Sequence, residues 1–175
     1  MSLSIGLVTL NAKFVHSSLS IRYLRNATKN KGFNNVWIQE FVISQPIWKI
    51  ASEILKQKPR ILGVSVYIWN RRQSLELIER LKKQDPTIAI VLGGPEVSFD
   101  MNSTELYTVI AGEGEAKWIE FLEHFKKKSI PSAETLKDWE SYGTTLPELT
   151  PAYIEEDLIQ LKNRIVYLET SRGCP

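Results

Sequence analysis

At 175 residues, with 43% hydrophobic and 24% charged residues, the chain has the size and composition of one globular domain, able to bury about 70% of its unfolded surface without disulfides or metals. The 22 basic and 20 acidic residues leave a net charge of +2, which gives no electrostatic case for nucleic acid, and no apolar run approaches bilayer-spanning length. A single cysteine, Cys174, and an N-terminus lacking the basic region, apolar core and cleavage site of a signal peptide lead us to expect a cytoplasmic protein without membrane contact.

Five short runs rich in β-branched residues alternate with amphipathic stretches, the rhythm of βαβ crossovers and of a parallel sheet covered on both faces. The first strand is predicted over Ile5 to Leu10, followed by a helix over Leu19 to Thr28 that Gly32 brings to a stop. Strand 2, Val36 to Phe41, precedes a helix over Ile47 to Gln57, and strand 3, Ile61 to Val66, precedes one over Ser74 to Gln84 that stops before Pro86. In that third helix Leu75, Leu77, Ile78 and Leu81 make an apolar stripe while Glu76, Glu79, Lys82 and Lys83 face water. Strand 4, Ile88 to Leu92, and strand 5, Thr108 to Ala111, flank a predicted helix at Asn102 to Tyr107, and a last long helix is expected over Ala116 to Lys127. The triplet Lys126 to Lys128 suits a helix C-terminus, where the dipole favours cations. Beyond it, Pro, Gly, Ser and Thr are dense enough to predict a connector, with short helices near Glu134 to Trp139 and Ala152 to Leu158. The run from Arg164 to Glu169 reads as a strand of something downstream, left to cap an edge of this sheet or to dangle.

Two doubly wound strand orders fit this rhythm, 2-1-3-4-5 and 3-2-1-4-5, and both place a ligand at the carboxyl ends of the strands. The segment after strand 1, Asn11-Ala-Lys-Phe-Val-His-Ser-Ser18, lacks the G-x-G-x-x-G of a dinucleotide site, which disfavours a dinucleotide-binding domain. Strand 4 is followed by Gly93-Gly94-Pro95-Glu96 and strand 5 by Gly112-Glu113-Gly114-Glu115. Either glycine loop alone is accounted for as a tight βα turn. With Ser65, Tyr67 and Trp69 after strand 3 they form one rim of flexible backbone, hydroxyl and aromatic surface that can accept a large, flat, amphipathic cofactor. Glu96, Glu113 and Glu115 are expected to cap helix N-termini rather than to work as an acid–base pair. Trp37, Trp48, Trp118 and Trp139 are expected to pack in the core or connector; for Trp69 packing and ligand contact stand equal, and His124 reads as a surface residue.

The final residues, Tyr167-Leu-Glu-Thr-Ser-Arg-Gly-Cys-Pro175, resemble the first barrel strand and cluster loop of radical S-adenosylmethionine enzymes, in which C-x3-C-x2-C supplies three thiolates to a [4Fe-4S] cluster. The two glycine turns, and the segment Phe14-Val-His-Ser-Ser-Leu-Ser-Ile-Arg-Tyr-Leu24, resemble the cobalamin-binding domain that precedes the barrel in many such enzymes. The resemblance implies a doubly wound, parallel, five-stranded α/β sheet of flavodoxin-like (Rossmann-like) type. The corrin would lie over the carboxyl edge and its nucleotide tail would pass between sheet and helices. By the same resemblance the cofactor-binding residues are Asn11, Phe14, Val15, His16, Ser17, Ser18, Ser65, Tyr67, Trp69, Gly93, Gly94, Pro95, Glu96, Gly112, Glu113, Gly114 and Glu115, with Cys174 as the first cluster ligand. The cobalamin domains that ligate cobalt through histidine carry D-x-H-x-x-G. Here His16 is flanked by Phe14 and Leu19 in those places, so the carboxylate that would orient it is missing.

The expected organisation is a cobalamin-binding module over residues 1–127, a connector over 128–164 and the start of a barrel over 165–175. The expected function is cobalamin binding within a radical S-adenosylmethionine methyltransferase or related alkylating enzyme. Cluster and S-adenosylmethionine would belong to the full-length protein, the downstream barrel would be the partner, and this part of the chain would catalyse nothing alone. The rival is a degenerate, cofactor-free scaffold. Its methylthiotransferase form needs a cysteine triad, absent from residues 1–173; its receiver form needs an acidic pair and a phosphorylatable aspartate that Asn11 and Tyr67 to Asn70 do not supply.

Overall fold

Seven consecutive buried residues, Ile5–Asn11, make β1 the central strand of the molecule, apolar or uncharged on both faces as a fully covered parallel strand must be. In the computed structural model, which describes residues 3–100, 102–127, 141–143 and 151–170, it pairs in parallel with β2 (Val36–Val42) on one side and β3 (Ile61–Ser65) on the other. β4 (Ala89–Gly93) and β5 (Thr108–Gly112) continue the sheet in the order β2-β1-β3-β4-β5, which settles the choice between the two windings in favour of the flavodoxin-like one. A sixth strand, β6 (Ser141–Gly143), adds in parallel beyond β5, from a region expected to be connector.

Helices α1 (Leu19–Asn30) and α5 (Gly114–Lys127) cover one face. There Ile5, Leu7, Ile61, Ala89, Val91 and Ile110 pack against Ile21, Trp118, Phe121 and Leu122. Helices α2 (Ile47–Lys56) and α3 (Arg71–Gln84) cover the other, where Val8, Leu10, Leu62, Val64, Ile90 and Leu92 meet Ile50, Ile54, Leu77, Ile78 and Leu81. The alternation of the strand side chains between these clusters is the period-2 pattern expected of a sheet buried on both sides.

Three local expectations fail. The segment Asn102 to Tyr107 is not helical; the Thr104 amide donates to the Tyr107 carbonyl at 2.8 Å and the Leu106 amide to the Thr104 hydroxyl at 3.1 Å, so hydroxyl side chains take the backbone into turns. The helix in this crossover is a single turn, α4 (Val97–Asp100), and the one expected from Ala152 begins only at α6 (Asp157–Gln160). Trp48, expected in the core, is 59% exposed on α2, whose inward positions are Ile50, Ala51 and Ile54. Trp139, the helix expected at Glu134 to Trp139, and Cys174 lie outside the described residues.

The segment 164–169 neither caps an edge nor dangles. It lies against the loop that follows β1, with the Ile165 amide donating to the Val15 carbonyl at 2.6 Å and the Ser17 hydroxyl to the Ile165 carbonyl at 2.6 Å. What brings it there is an ionic cluster on α1. Arg22 and Arg25 are buried, and a buried guanidinium is tolerable only when paired and hydrogen-bonded. Arg25 grips Asp157 through both guanidinium nitrogens at 2.6 Å, and Asn26 donates to the Pro151 and Ala152 carbonyls at 2.6 and 3.0 Å. Arg22 pairs with Glu40 of β2, which also receives Arg164 at 2.5 Å, the Ser18 amide at 2.9 Å and Asn11 at 3.2 Å. Three guanidinium groups thus share two carboxylates.

Gly94 has a backbone requirement of its own. Its φ is +112°, and a Cβ there would fall 2.5 Å from the Val66 carbonyl oxygen. We expect Gly94→Ala to lower unfolding stability by about 2–3 kcal/mol, measured by urea denaturation, because strain and clash act together. Burial alone would raise the Asp157 carboxyl, but the Arg25 fork, the Ile154 amide and the charges of Arg25 and Arg22 hold it below the usual aspartate value. A depressed carboxylate stabilises the fold fully above its unfolded pKa, about 4, and that stability is lost as pH falls below it. Hydrogen exchange of the Ile154 amide, which donates to Asp157 at 2.9 Å, should therefore lose protection below about pH 4 and keep it at neutrality.

Candidate functional site at the carboxyl edge of the sheet

The carboxyl ends of β1 and β3 are tied together by one side chain. Asn70, fully buried, donates to the Leu10 carbonyl at 2.9 Å and the Ser65 carbonyl at 3.2 Å, while its oxygen accepts the Tyr67 amide at 2.8 Å. The turn that results lifts Tyr67 and Trp69 onto the rim as a stacked pair, ring centroids 4.5 Å apart and 8° from parallel. Trp69 is 47% exposed, so of its two expected roles core packing is excluded and a surface available to a ligand is left.

Two adjoining cavities open here. The upper, about 780 Å³, lies over the edge between the β1 loop and the β3 turn and is bordered by Asn11, His16, Ser17, Ser18, Tyr67 and Trp69. The second, about 320 Å³, descends between the sheet and helices α1 and α5, along Ser65, Gly93, Gly94, Gly112, Glu113, Gly114 and Glu115. Leu19, Tyr67 and Glu169 border both, which makes the two spaces neighbours. Register aligns Ser65 with Gly93 across β3 and β4, so two small residues side by side form part of the slot's wall. Ser18, Ser20 and Ser65 continue it as a chain of hydroxyls 3.1 and 3.3 Å apart.

The slot is deep because of Gly63, where a Cβ would meet Leu7 at 2.8 Å and the Trp118 ring at 3.2 Å. Trp118 forms the floor and is fixed by donating its indole N–H to the Thr28 hydroxyl at 2.8 Å. Gly93 and Gly114 are different: a Cβ would have only ordinary contact, 3.6 and 3.7 Å, and would take up cavity space instead.

Not all of the expected residues converge. Phe14 is 60% exposed and lies under the Arg164 guanidinium at 4.5 Å, and Val15 meets the 164–169 segment through its carbonyl. Neither borders either of these two cavities, nor do Pro95 and Glu96. Glu96 pairs with Arg71 at 2.9 Å. His16 does border the upper cavity, but its Nδ1 lies 2.7 Å from the Tyr167 hydroxyl, so a phenol supplied 151 residues later occupies the position of the missing carboxylate.

Other bordering residues were not expected from the sequence: Leu19, Ser20, Tyr23 and Leu24 of α1, Gly63 and Trp118 of the floor, and Tyr167 to Thr170. Only Gly63 carried a local signal, since a lone glycine inside a β-branched run marks a close approach. The cavities present aromatic, aliphatic, glycine and hydroxyl surface together with the carboxylates Glu113, Glu115 and Glu169, and among the described residues no group of three His, Cys, Asp or Glu converges on a metal position.

Comparison with known proteins agrees with this geometry. TokK of Streptomyces tokunonensis, a cobalamin-dependent radical SAM methyltransferase, is 25% identical over 155 residues, an alignment covering 74% of this chain and 22% of that protein. The cobalamin-dependent S-adenosylmethionine radical enzyme OxsB, solved with aqua-cobalamin and S-adenosylmethionine bound, superposes with a TM-score of 0.62 at 18% identity, over 71% of this chain and 19% of its own. The methanol:cobalamin methyltransferase complex MtaBC of Methanosarcina barkeri gives a TM-score of 0.60 at 15% identity, over 79% of this chain and 52% of its own. The chain thus spans about a fifth of the length of TokK. The sequence profile described as B12 binding domain matches residues 5–121, from the start of β1 well into α5, and the chain belongs to that family.

Proposed function

We propose that this chain binds cobalamin at the carboxyl edge, as the cofactor-holding part of a radical S-adenosylmethionine enzyme that transfers a methyl or related alkyl group. The observation that carries this reading is the pair of adjoining cavities: a broad one over the edge and a narrow one running down between sheet and helices. A flat macrocycle with a long pendant tail needs that combination, and a compact ligand needs only one of the two. The volumes, about 780 and 320 Å³, together slightly exceed the usual range for ligand pockets, about 300–1,000 Å³, as a ligand of this size requires.

The residues present fit the cofactor. Gly93 and Gly114 leave room that any side chain would fill, and Ser18, Ser20 and Ser65 offer hydroxyls to a polar tail. The apolar face of Tyr67 and Trp69 suits a ring. Bound there, cobalamin would supply the alkyl-carrying metal; the chain's residues bind it, orient it and keep water from its inner face. In this reading His16 serves the 164–169 segment rather than cobalt, because a phenol partner makes imidazole a weaker ligand than a carboxylate does. Cys174 would be the first thiolate of a cluster completed downstream, with a barrel and S-adenosylmethionine as further parts of the whole protein, and residues 128–164 would connect the two modules.

Titration with hydroxocobalamin, followed by gel filtration and the visible spectrum of the protein fraction, tests the reading. Retained colour at close to one corrin per chain is expected, and none at high cofactor concentration would refute it. Gly93→Val should weaken binding roughly tenfold or more with unchanged far-UV circular dichroism, since the new side chain occupies the slot. His16→Ala should leave the spectrum of the bound corrin as it is; a shift on substitution would make His16 the cobalt ligand.

A further inference from the structure

We infer that residues 151–170, beyond the stretch shared with the B12 binding domain family, are a working wall of the cofactor cavity: a strap pinned across the mouth whose apolar residue Leu168 contacts the bound corrin. This rests on the cobalamin reading and adds to it a set of contacts from outside the family's domain.

The strap is held at both ends and in the middle. Its start is anchored to α1 by Arg25 on Asp157 and by Asn26 on the Pro151 and Ala152 carbonyls, all largely removed from water. Its middle is held by Arg164 on Glu40 and by the reciprocal backbone and hydroxyl bonds of Ile165 with Val15 and Ser17. Near its end the Tyr153 hydroxyl donates to the Tyr167 carbonyl at 2.6 Å, and the Tyr167 hydroxyl meets His16. Burial pushes the Tyr153 phenol up, so it remains a donor across the ordinary pH range. A segment this firmly tied has a defined position relative to the rim.

What it presents is not what a finished surface presents. Ile165, Val166, Tyr167 and Leu168 are four consecutive apolar or aromatic residues, each at least 40% exposed, and Leu168 is 79% exposed. Contiguous apolar exposure of this kind marks a surface that something covers. Leu168 and Tyr167 border the same upper cavity as Tyr67 and Trp69, and Glu169 borders both cavities. An occupant of the upper cavity is therefore in reach of both the aromatic pair and Leu168. A corrin fits that chemistry, with an apolar macrocycle for Leu168 and peripheral amides for the polar groups of Glu169 and Thr170.

The test uses the intact chain and hydroxocobalamin. Leu168→Asp, at a site too exposed to support the fold, is expected to weaken binding roughly tenfold or more, the equivalent of about 1.4 kcal/mol, with urea unfolding unchanged. Chymotryptic cleavage after Tyr167 and tryptic cleavage after Arg164 should slow by a similar factor when the cofactor is present. Wild-type binding by Leu168→Asp, or cleavage rates indifferent to the cofactor while the unaltered chain retains colour, would overturn the strap inference and leave the cobalamin reading standing. Failure of the unaltered chain to retain colour would overturn both.

Discussion

A parallel sheet ends every strand on the same edge, and the order in which strands are laid down decides where along that edge the chain parts. Here β1 sits between β2 and β3, so the connection leaving β1 turns to one face and the connection leaving β3 to the other. The gap between those two departures is the only thing the topology itself provides as a binding place. Everything else at the site is an elaboration of it. Asn70 pins the two strand ends, the turn it builds raises Tyr67 and Trp69, and the glycines after β4 and β5 keep the neighbouring exits low.

The second organising element is the polar face of α1. A helix at this position could have been apolar all along its inner side, yet Arg22, Arg25, Asn26 and Thr28 are all buried. Each has a partner contributed from elsewhere: Glu40 from β2, Asp157 and the Pro151 and Ala152 carbonyls from the C-terminal segment, and the Trp118 indole from α5. Buried ion pairs add little net stability over apolar packing, but they are costly to break and they fix geometry. Their result here is positional. The loop that carries His16, Ser17 and Ser18, the edge strand β2 and the segment 151–170 are locked to one helix, and through it to the wall of the slot.

How far the sequence spoke for itself follows from what kind of interaction each feature depends on. The five strands and four of the helices were legible because hydrophobic period and turn residues are local. Local pattern left two strand orders, since nothing local distinguishes β1 beside β3 from β1 beside Rossmann-type neighbours; the flavodoxin-like order came from the resemblance, and the strand pairing bears it out. Gly93, Gly94, Gly112 and Gly114 could be placed at the site because the two glycine loops and the turn after strand 3 fall on one rim; either loop alone reads as a tight turn. Phe14 and Glu96 were assigned through the resemblance of their loops, and membership of a loop does not fix direction: one lies beneath Arg164 and the other pairs with Arg71. The Arg25–Asp157 and Arg164–Glu40 pairs and the Tyr167 contact with His16 were invisible, because their partners stand more than 120 residues apart and are joined only by the folded chain.

The floor of the slot has a consequence for how such a site can change. Trp118 closes the cavity and is also among the largest fully buried side chains of the core, packed in it with Phe121 and held by Thr28. The length of pendant group that the protein can take in is therefore measured against the same indole that helps hold sheet to helix. Lengthening the space by trimming that ring would open a core void, and shortening it by adding a carbon at Gly63 would push on Leu7 and on the ring itself. Fold stability and slot depth draw on one set of atoms at this point, so a lineage that alters the depth of the slot must move the two strands and the helix together.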